Sequence, residues 1–261
     1  MTRHTASYII LGLTLAAIAA VFLSPRIPQD HAYHHFADQR VVFGISNCLN
    51  VISNFFFLLV GVLGLLFLLR QRAPQASKHF LESRECWPYV VFFVGVALTS
   101  FGSAYYHLAP GNEKLVWDRL PMTLAFMSFL AATVAERISV RAGLSLLLPL
   151  LAIGIGSVLY WRLSELSGRG DLRPYIMVQF YPMLAIPLMV VLWPPRYTRT
   201  ADLVPVLGFY VVARVFEVLD MAIFNLGRVV SGHTLKHLAA SASAYWLLRM
   251  LQLRFPITRR P

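Results

Sequence analysis

Three histidines fall near the ends of apolar segments: His107 closes VVFFVGVALTSFGSAYYH, while His233 and His237 open SGHTLKHLAASASAYWLLRML. An ionisable side chain in hydrocarbon is costly unless it is paired, solvated or metal-bound, so histidines placed this way need a partner. His233 and His237 are four residues apart, which on a helix projects both imidazoles from one face, as half of a metal site requires. Ser103 and His107 repeat that spacing on another segment, and Asp118 follows across the short turn LAPGNEK. Imidazoles, a hydroxyl and a carboxylate are the parts of a hydrolytic centre, in which a metal activates water and a carboxylate moves its proton.

Taken singly, each residue has a plainer reading. His107 would close its helix at an interface, His233 and His237 would line a polar helix start beside Lys236, and Asp118 would pair with Arg119. Ser103 would bond its own helix carbonyl, as serines in membrane helices do. Their joint occurrence at one end of three segments favours the metal.

The segments that must position them are membrane helices. Of the 261 residues 57% are hydrophobic, in continuous runs close to the ~20 residues that cross a bilayer as a helix. Eight spans are predicted, at about 8–23, 47–69, 88–107, 115–134, 143–161, 175–193, 203–224 and 232–251. The runs do not alternate and exceed the roughly 9–11 residues of a barrel strand, so the expected fold is an all-α polytopic membrane protein. It would comprise a seven-helix core bundle over 31–261 and an extra N-terminal transmembrane helix within 1–30. No A-x-A cleavage site follows the first run, which is read as an uncleaved anchor.

The net charge of +11 is scattered among short loops rather than gathered into a nucleic-acid-binding patch, and topology accounts for it. With the N-terminus inside, thirteen of the 23 Lys and Arg fall on the inner side, including Arg72, Arg259 and Arg260, and nine fall outside. This orientation, chosen without the histidines, puts His107, Asp118, His233 and His237 together towards the outer face. Cys48 and Cys86 fall at opposite ends of their spans, so no disulfide is expected.

The string GSAYYHLAPGNEKLVWDRLPM resembles the Ser-x3-His and Asp-x-x-Pro-Met signature of alkaline ceramidases, and SGHTLKHLAAS resembles their last-helix His-x3-His. NCLNVISN resembles the family's first core helix through Asn50, Ser53 and Asn54, and Asp220 matches an acidic residue of the penultimate helix. The resemblance runs from about 38 to 250 and extends to the superfamily that includes adiponectin-receptor-like proteins. It implies that His107, His233 and His237 bind zinc with a fourth position open to water. It also implies that Asp118 shuttles a proton and that Ser103 stabilises the oxyanion; Asp220 reads either as support for a ligand histidine or as packing. The substrate implied is a membrane N-acyl lipid such as ceramide.

The chain departs from the family's calcium pattern. In HAYHHFADQRVVFGISNCLN only Asp38 is acidic and Asn47 stands where an acid is expected. Ca²⁺ takes six to eight oxygen ligands, several from carboxylates, so Asp38 and Asn47 are a thin set of candidates.

Outside the motifs, His31, His34 and His35 read as a wetted surface segment or a cover over the site. Arg214 and Glu217 read as a buried pair. The excess of Arg over Lys points to a GC-rich bacterial genome and a cytoplasmic membrane. Two other functions fit the same residues: a receptor or lipid-binding protein with a structural zinc, and a lipid ester hydrolase.

Overall fold

Continuous apolar runs give the backbone no partner but itself, and in lipid the α-helix satisfies its amides within one segment. The computed structural model describes residues 2–71 and 78–257. Its helices are α1 (Arg3–Leu23), α2 (Cys48–Ile52), α3 (Phe55–Arg70), α4 (Cys86–Leu108), α5 (Asn112–Arg137), α6 (Val140–Leu166), α7 (Arg173–Leu192), α8 (Leu203–Val218), α9 (Asp220–Gly227) and α10 (Gly232–Leu253). Extended pairing among the described residues is limited to two isolated bridges. Six units, α1, α2–α3 together, α4, α5, α6 and α7, are long and apolar enough to cross a membrane. The protein is an all-α polytopic membrane protein. Arg72, Arg259 and Arg260, assigned above to the inner side, lie outside the described residues.

Helix α5 packs between α4 on one side and α6 and α7 on the other; α3 packs on α4, and α10 packs on both α3 and α8. Helix α1 lies against α7, where Thr14 and Tyr181 share a hydrogen bond of 2.6 Å, and the rest of its surface faces outward.

Two predicted spans are interrupted. The second divides at Ser53 and Asn54, because the Asn50 carbonyl is claimed by the Ser53 hydroxyl (3.1 Å) and the Asn54 amide (2.7 Å). The seventh divides at Leu219, where the chain turns into α9 and the Asp220 carboxylate meets the start of α10. Both interruptions serve the histidine end. The opposite end is closed by buried ion pairs, Arg196 with Glu85 (3.1 Å) and Arg254 with Glu136. Both cysteines are buried and free.

The α4–α5 crossing has no room for side chains. A Cβ on Gly102 would stand 2.0 Å from the Trp117 carbonyl oxygen, and one on Gly95 would stand 2.8 Å from the Ala125 nitrogen. Pro121 has no N–H to give the carbonyl four residues before it, which is that of Trp117. The proline therefore leaves free the carbonyl that faces Gly102. Gly102→Ala is expected to force the helices apart at a cost of about 1–3 kcal/mol or more. Thermal melting in detergent measures this, and an unchanged midpoint would rule out the close crossing.

Candidate metal centre

The last turn of α4 and the first two turns of α10 bring three imidazoles together. The ring centroids of His107, His233 and His237 are 4.8, 4.9 and 5.0 Å apart in pairs, and one nitrogen from each ring lies within 4.8 Å of the others. All three residues are buried. Among the described residues they form the group able to hold a metal ion. His107 Nδ1 and His233 Nε2 have no hydrogen-bond partner in the protein. A buried polar atom left unpaired costs about 1–3 kcal/mol, and a cation between the rings would remove that cost.

The third ring is oriented by Ser53. Its hydroxyl donates to the Asn50 carbonyl, so it accepts from His237 Nδ1–H at 2.8 Å and leaves the Nε2 lone pair unprotonated. Asn50 also fixes the start of α10: its side-chain oxygen accepts from Thr234 (2.7 Å) and Ser231 (3.3 Å), and Ser231 caps the helix through the Thr234 N–H. The Asp220 carboxylate accepts from the His233 N–H at 2.7 Å and the Ala37 N–H at 2.9 Å. Asp220 thus holds the backbone of a candidate ligand histidine, as an anion at a helix N-terminus.

Ser103 on α4 and Asp118 on α5 are neighbours at the crossing of these helices, and both line the same cavity. His237 and Lys236 join them at one end of it, and its other walls include Phe57, Phe92, Phe129, Ile186 and Val206. The cavity volume is ≈ 130 Å³, smaller than the roughly 300–1,000 Å³ of drug-sized ligand sites. The Arg214–Glu217 pair forms as predicted, but it has further members. Lys236 reaches Glu217 at 2.6 Å and the Tyr33 hydroxyl donates to the same carboxylate at 3.1 Å. The sequence reading puts Lys236 at a polar helix start beside His233 and His237, and nothing in the motif marks it as a cavity residue.

The segment between α1 and α2 lies across the histidine end as a strap. Phe36 packs on His107 and His233 with centroids 4.6 and 4.5 Å away. His34 is only partly exposed: one ring nitrogen meets the Tyr106 hydroxyl (2.8 Å) and the other Asn112 Oδ1 (2.9 Å). Burial holds its pKa below the usual value. His31 and His35 are exposed, as a wetted surface segment has them, while His34 turns inward and the residue that covers the cluster is the neighbouring Phe36. Phe36 escaped sequence reasoning, although an apolar residue inside a polar stretch was the available signal.

The calcium candidates do not fit their ion. Both Asp38 oxygens are taken by the Arg40 guanidinium at 2.7 Å, which keeps the carboxyl below the ordinary carboxylate range. Asn47 turns its amide nitrogen to the His107 carbonyl at 2.8 Å from a left-handed backbone, φ 48°. Neither offers a cation a free carboxylate.

A family model described as Ceramidase matches residues 38–193, more than half of the chain. The matched stretch contains Ser103, His107 and Asp118 and stops before α10, whose two histidines the fold brings to it. No curated protein matches the chain.

Removing a partner that orients a metal-binding histidine typically lowers affinity 10- to 100-fold. Ser53→Ala is therefore expected to weaken binding of a divalent transition metal by about that factor with the fold intact. Competition with a metal-sensitive dye measures it, and wild-type affinity would show that Ser53 does not set the His237 tautomer.

Proposed function

The chain belongs to the ceramidase family, and on that premise we propose that it is a zinc-dependent integral-membrane amidase. It would hydrolyse the N-acyl bond of ceramide or a related N-acyl lipid to a fatty acid and a long-chain amine. One observation carries the reading: an apolar cavity ends on the Ser103–Asp118 pair and on His237, one of three clustered buried histidines.

His107, His233 and His237 would hold the metal. Three imidazoles suit zinc and leave a fourth position open, and two of the rings carry unpartnered nitrogens. When bound, zinc supplies a Lewis acid that makes water acidic enough to attack an acyl carbon near neutral pH.

The protein's own groups move the protons. Asp118 would take the proton of the attacking water and pass it to the nitrogen that leaves as the amine. Ser103 lines the cavity beside Asp118, and its hydroxyl proton would meet the developing negative charge on the acyl oxygen. Water adds to the carbonyl, the C–N bond breaks, and the products are a carboxylic acid and an amine. The acyl chain would lie in the apolar cavity, where Phe57, Phe92 and Phe129 offer it no polar contact.

Asp118→Asn keeps size and removes the base, so kcat on ceramide in mixed micelles should fall about 10²- to 10⁴-fold with metal content unchanged. His237→Ala should instead lose the metal. Mass spectrometry of the released fatty acid and elemental analysis separate the two. Full hydrolysis by Asp118→Asn would end the proton-transfer role, and an active wild type free of zinc would end the metal assignment.

The site is proposed to face the outer side of the membrane, with both chain ends in the cytoplasm. His31 is exposed on the strap. In a background without native cysteines, His31→Cys should react with an impermeant thiol reagent added to intact cells, and labelling only after lysis would reverse the orientation.

A further inference from the structure

Four oxygens converge on Arg40. Its Nε and Nη2 donate to the two Asp38 oxygens, each at 2.7 Å, while Nη1 reaches the Arg228 carbonyl at 3.0 Å and Nη2 the Val229 carbonyl at 2.7 Å. The guanidinium carbon stands 5.4 Å from the Phe224 ring centroid. The two carbonyls belong to the turn between α9 and α10, which Arg228 makes in a left-handed conformation, φ 51°. A carboxylate and two carbonyls aimed at one place are the ligands a hard cation takes. Here that place holds a cation belonging to the chain.

The clasp sits between the two parts of the strap that touch the histidines. On one side Phe36 packs on His107 and His233, and Ala37 shares Asp220 with the start of α10. On the other side the Arg40 carbonyl accepts from the Cys48 N–H at 3.4 Å, and Asn47 holds the His107 carbonyl. Arg40 is nearly half exposed, so solvent screens its charge and the hold depends on four directed hydrogen bonds. A planar fork can direct them to four oxygens at once, whereas an ammonium cannot.

We infer that Arg40 is a built-in replacement for a bound cation. Its guanidinium ties the strap to the α9–α10 turn and so holds Phe36 and Asn47 on the histidine cluster without calcium. Arg40 is a positioning residue, and its bearing on catalysis rests on the reading of the three histidines as a metal centre.

Cys48 is a native probe of the clasp, because it is buried behind the strap and hydrogen-bonded to Arg40. With Cys86→Ser it becomes the single thiol, and its rate of alkylation in detergent reports opening of the strap. Wild-type labelling should be slow and unaffected by Ca²⁺ at a few millimolar, the range of weak extracellular calcium sites. Arg40→Gly should label about tenfold faster or more, as local opening becomes easier. Ca²⁺ should slow that variant by entering the vacated oxygens, and Arg40→Lys should lie between, keeping the charge without the fork. The proposal is overturned if Ca²⁺ slows labelling of the wild type or raises its melting temperature, or if Arg40→Gly labels at the wild-type rate or ignores Ca²⁺. Should Arg40→Gly fail to fold, Arg40→Lys and the wild-type calcium titration still decide. None of these readouts needs zinc or turnover, so a protein that bound no zinc yet behaved this way would lose the metal reading and keep the clasp.

Discussion

An imidazole nitrogen buried away from water must be given a partner, and the histidine end of this bundle is organised by that demand. Three rings converge with two unpartnered nitrogens among them, and the surrounding irregularities each hold one of the histidines, one by its ring and two by the backbone. The helix divides at Ser53 so that a hydroxyl can face His237. The seventh span divides before Asp220 so that a carboxylate can hold the His233 backbone. The left-handed Asn47 delivers an amide to the His107 carbonyl. Backbone departures of this kind are costly in lipid unless side chains replace the lost bonds, and here the replacements are also the supports of the site.

The carboxylate half of the site depends on a second constraint, the close approach of α4 and α5. Gly102 removes a side chain on one helix, and Pro121 removes an amide proton on the other. The two changes meet at the Trp117 carbonyl, one residue before Asp118 and opposite the residue before Ser103. The Asp-x-x-Pro spacing therefore has a mechanical sense: the proline leaves free the carbonyl at the point where the helix carrying Asp118 comes closest to the helix carrying Ser103. Neither feature adds stability by itself. Their fit to each other does, through the packing of small residues that lets backbones approach.

Sequence reasoning reached the helices because a span of about 20 apolar residues carries a strong signal, and it reached the site residues because i, i+4 spacing survives any error in helix ends. It placed His107, His233, His237, Ser103 and Asp118 at one end, and the fold brings the histidines into one cluster and puts the serine and the aspartate on the wall of the cavity that reaches His237. What it missed comes from contacts that periodicity does not encode. Lys236 lies between two candidate ligands, yet only the packing of α8 turns it towards Glu217 and the cavity. Phe36 and Arg40 lie in a segment with no helical repeat, so nothing in their spacing foretold a strap. The calcium candidates failed for a legible reason: Arg40 is two residues from Asp38, and a neighbouring cation is a competitor for any ion drawn to that carboxylate.

The two sides of the cluster differ in character, which matters for a reaction that joins water to a lipid. Above it lies a polar hollow lined by His31, His34, Gln39, Asn47 and Asn112, and below it the aromatic cavity runs into the bundle. Phe36 and Asn47 stand at the boundary, one packed on the rings and the other held to the His107 backbone. On the proposed reading the acyl chain arrives from the apolar side and water from the polar side, and each is kept from the other's compartment by its own free energy of transfer. The buried Arg214–Glu217–Lys236 group fits this division. Arg214 and Lys236 share the one Glu217 carboxylate and add polar atoms to a cavity wall that is otherwise largely apolar.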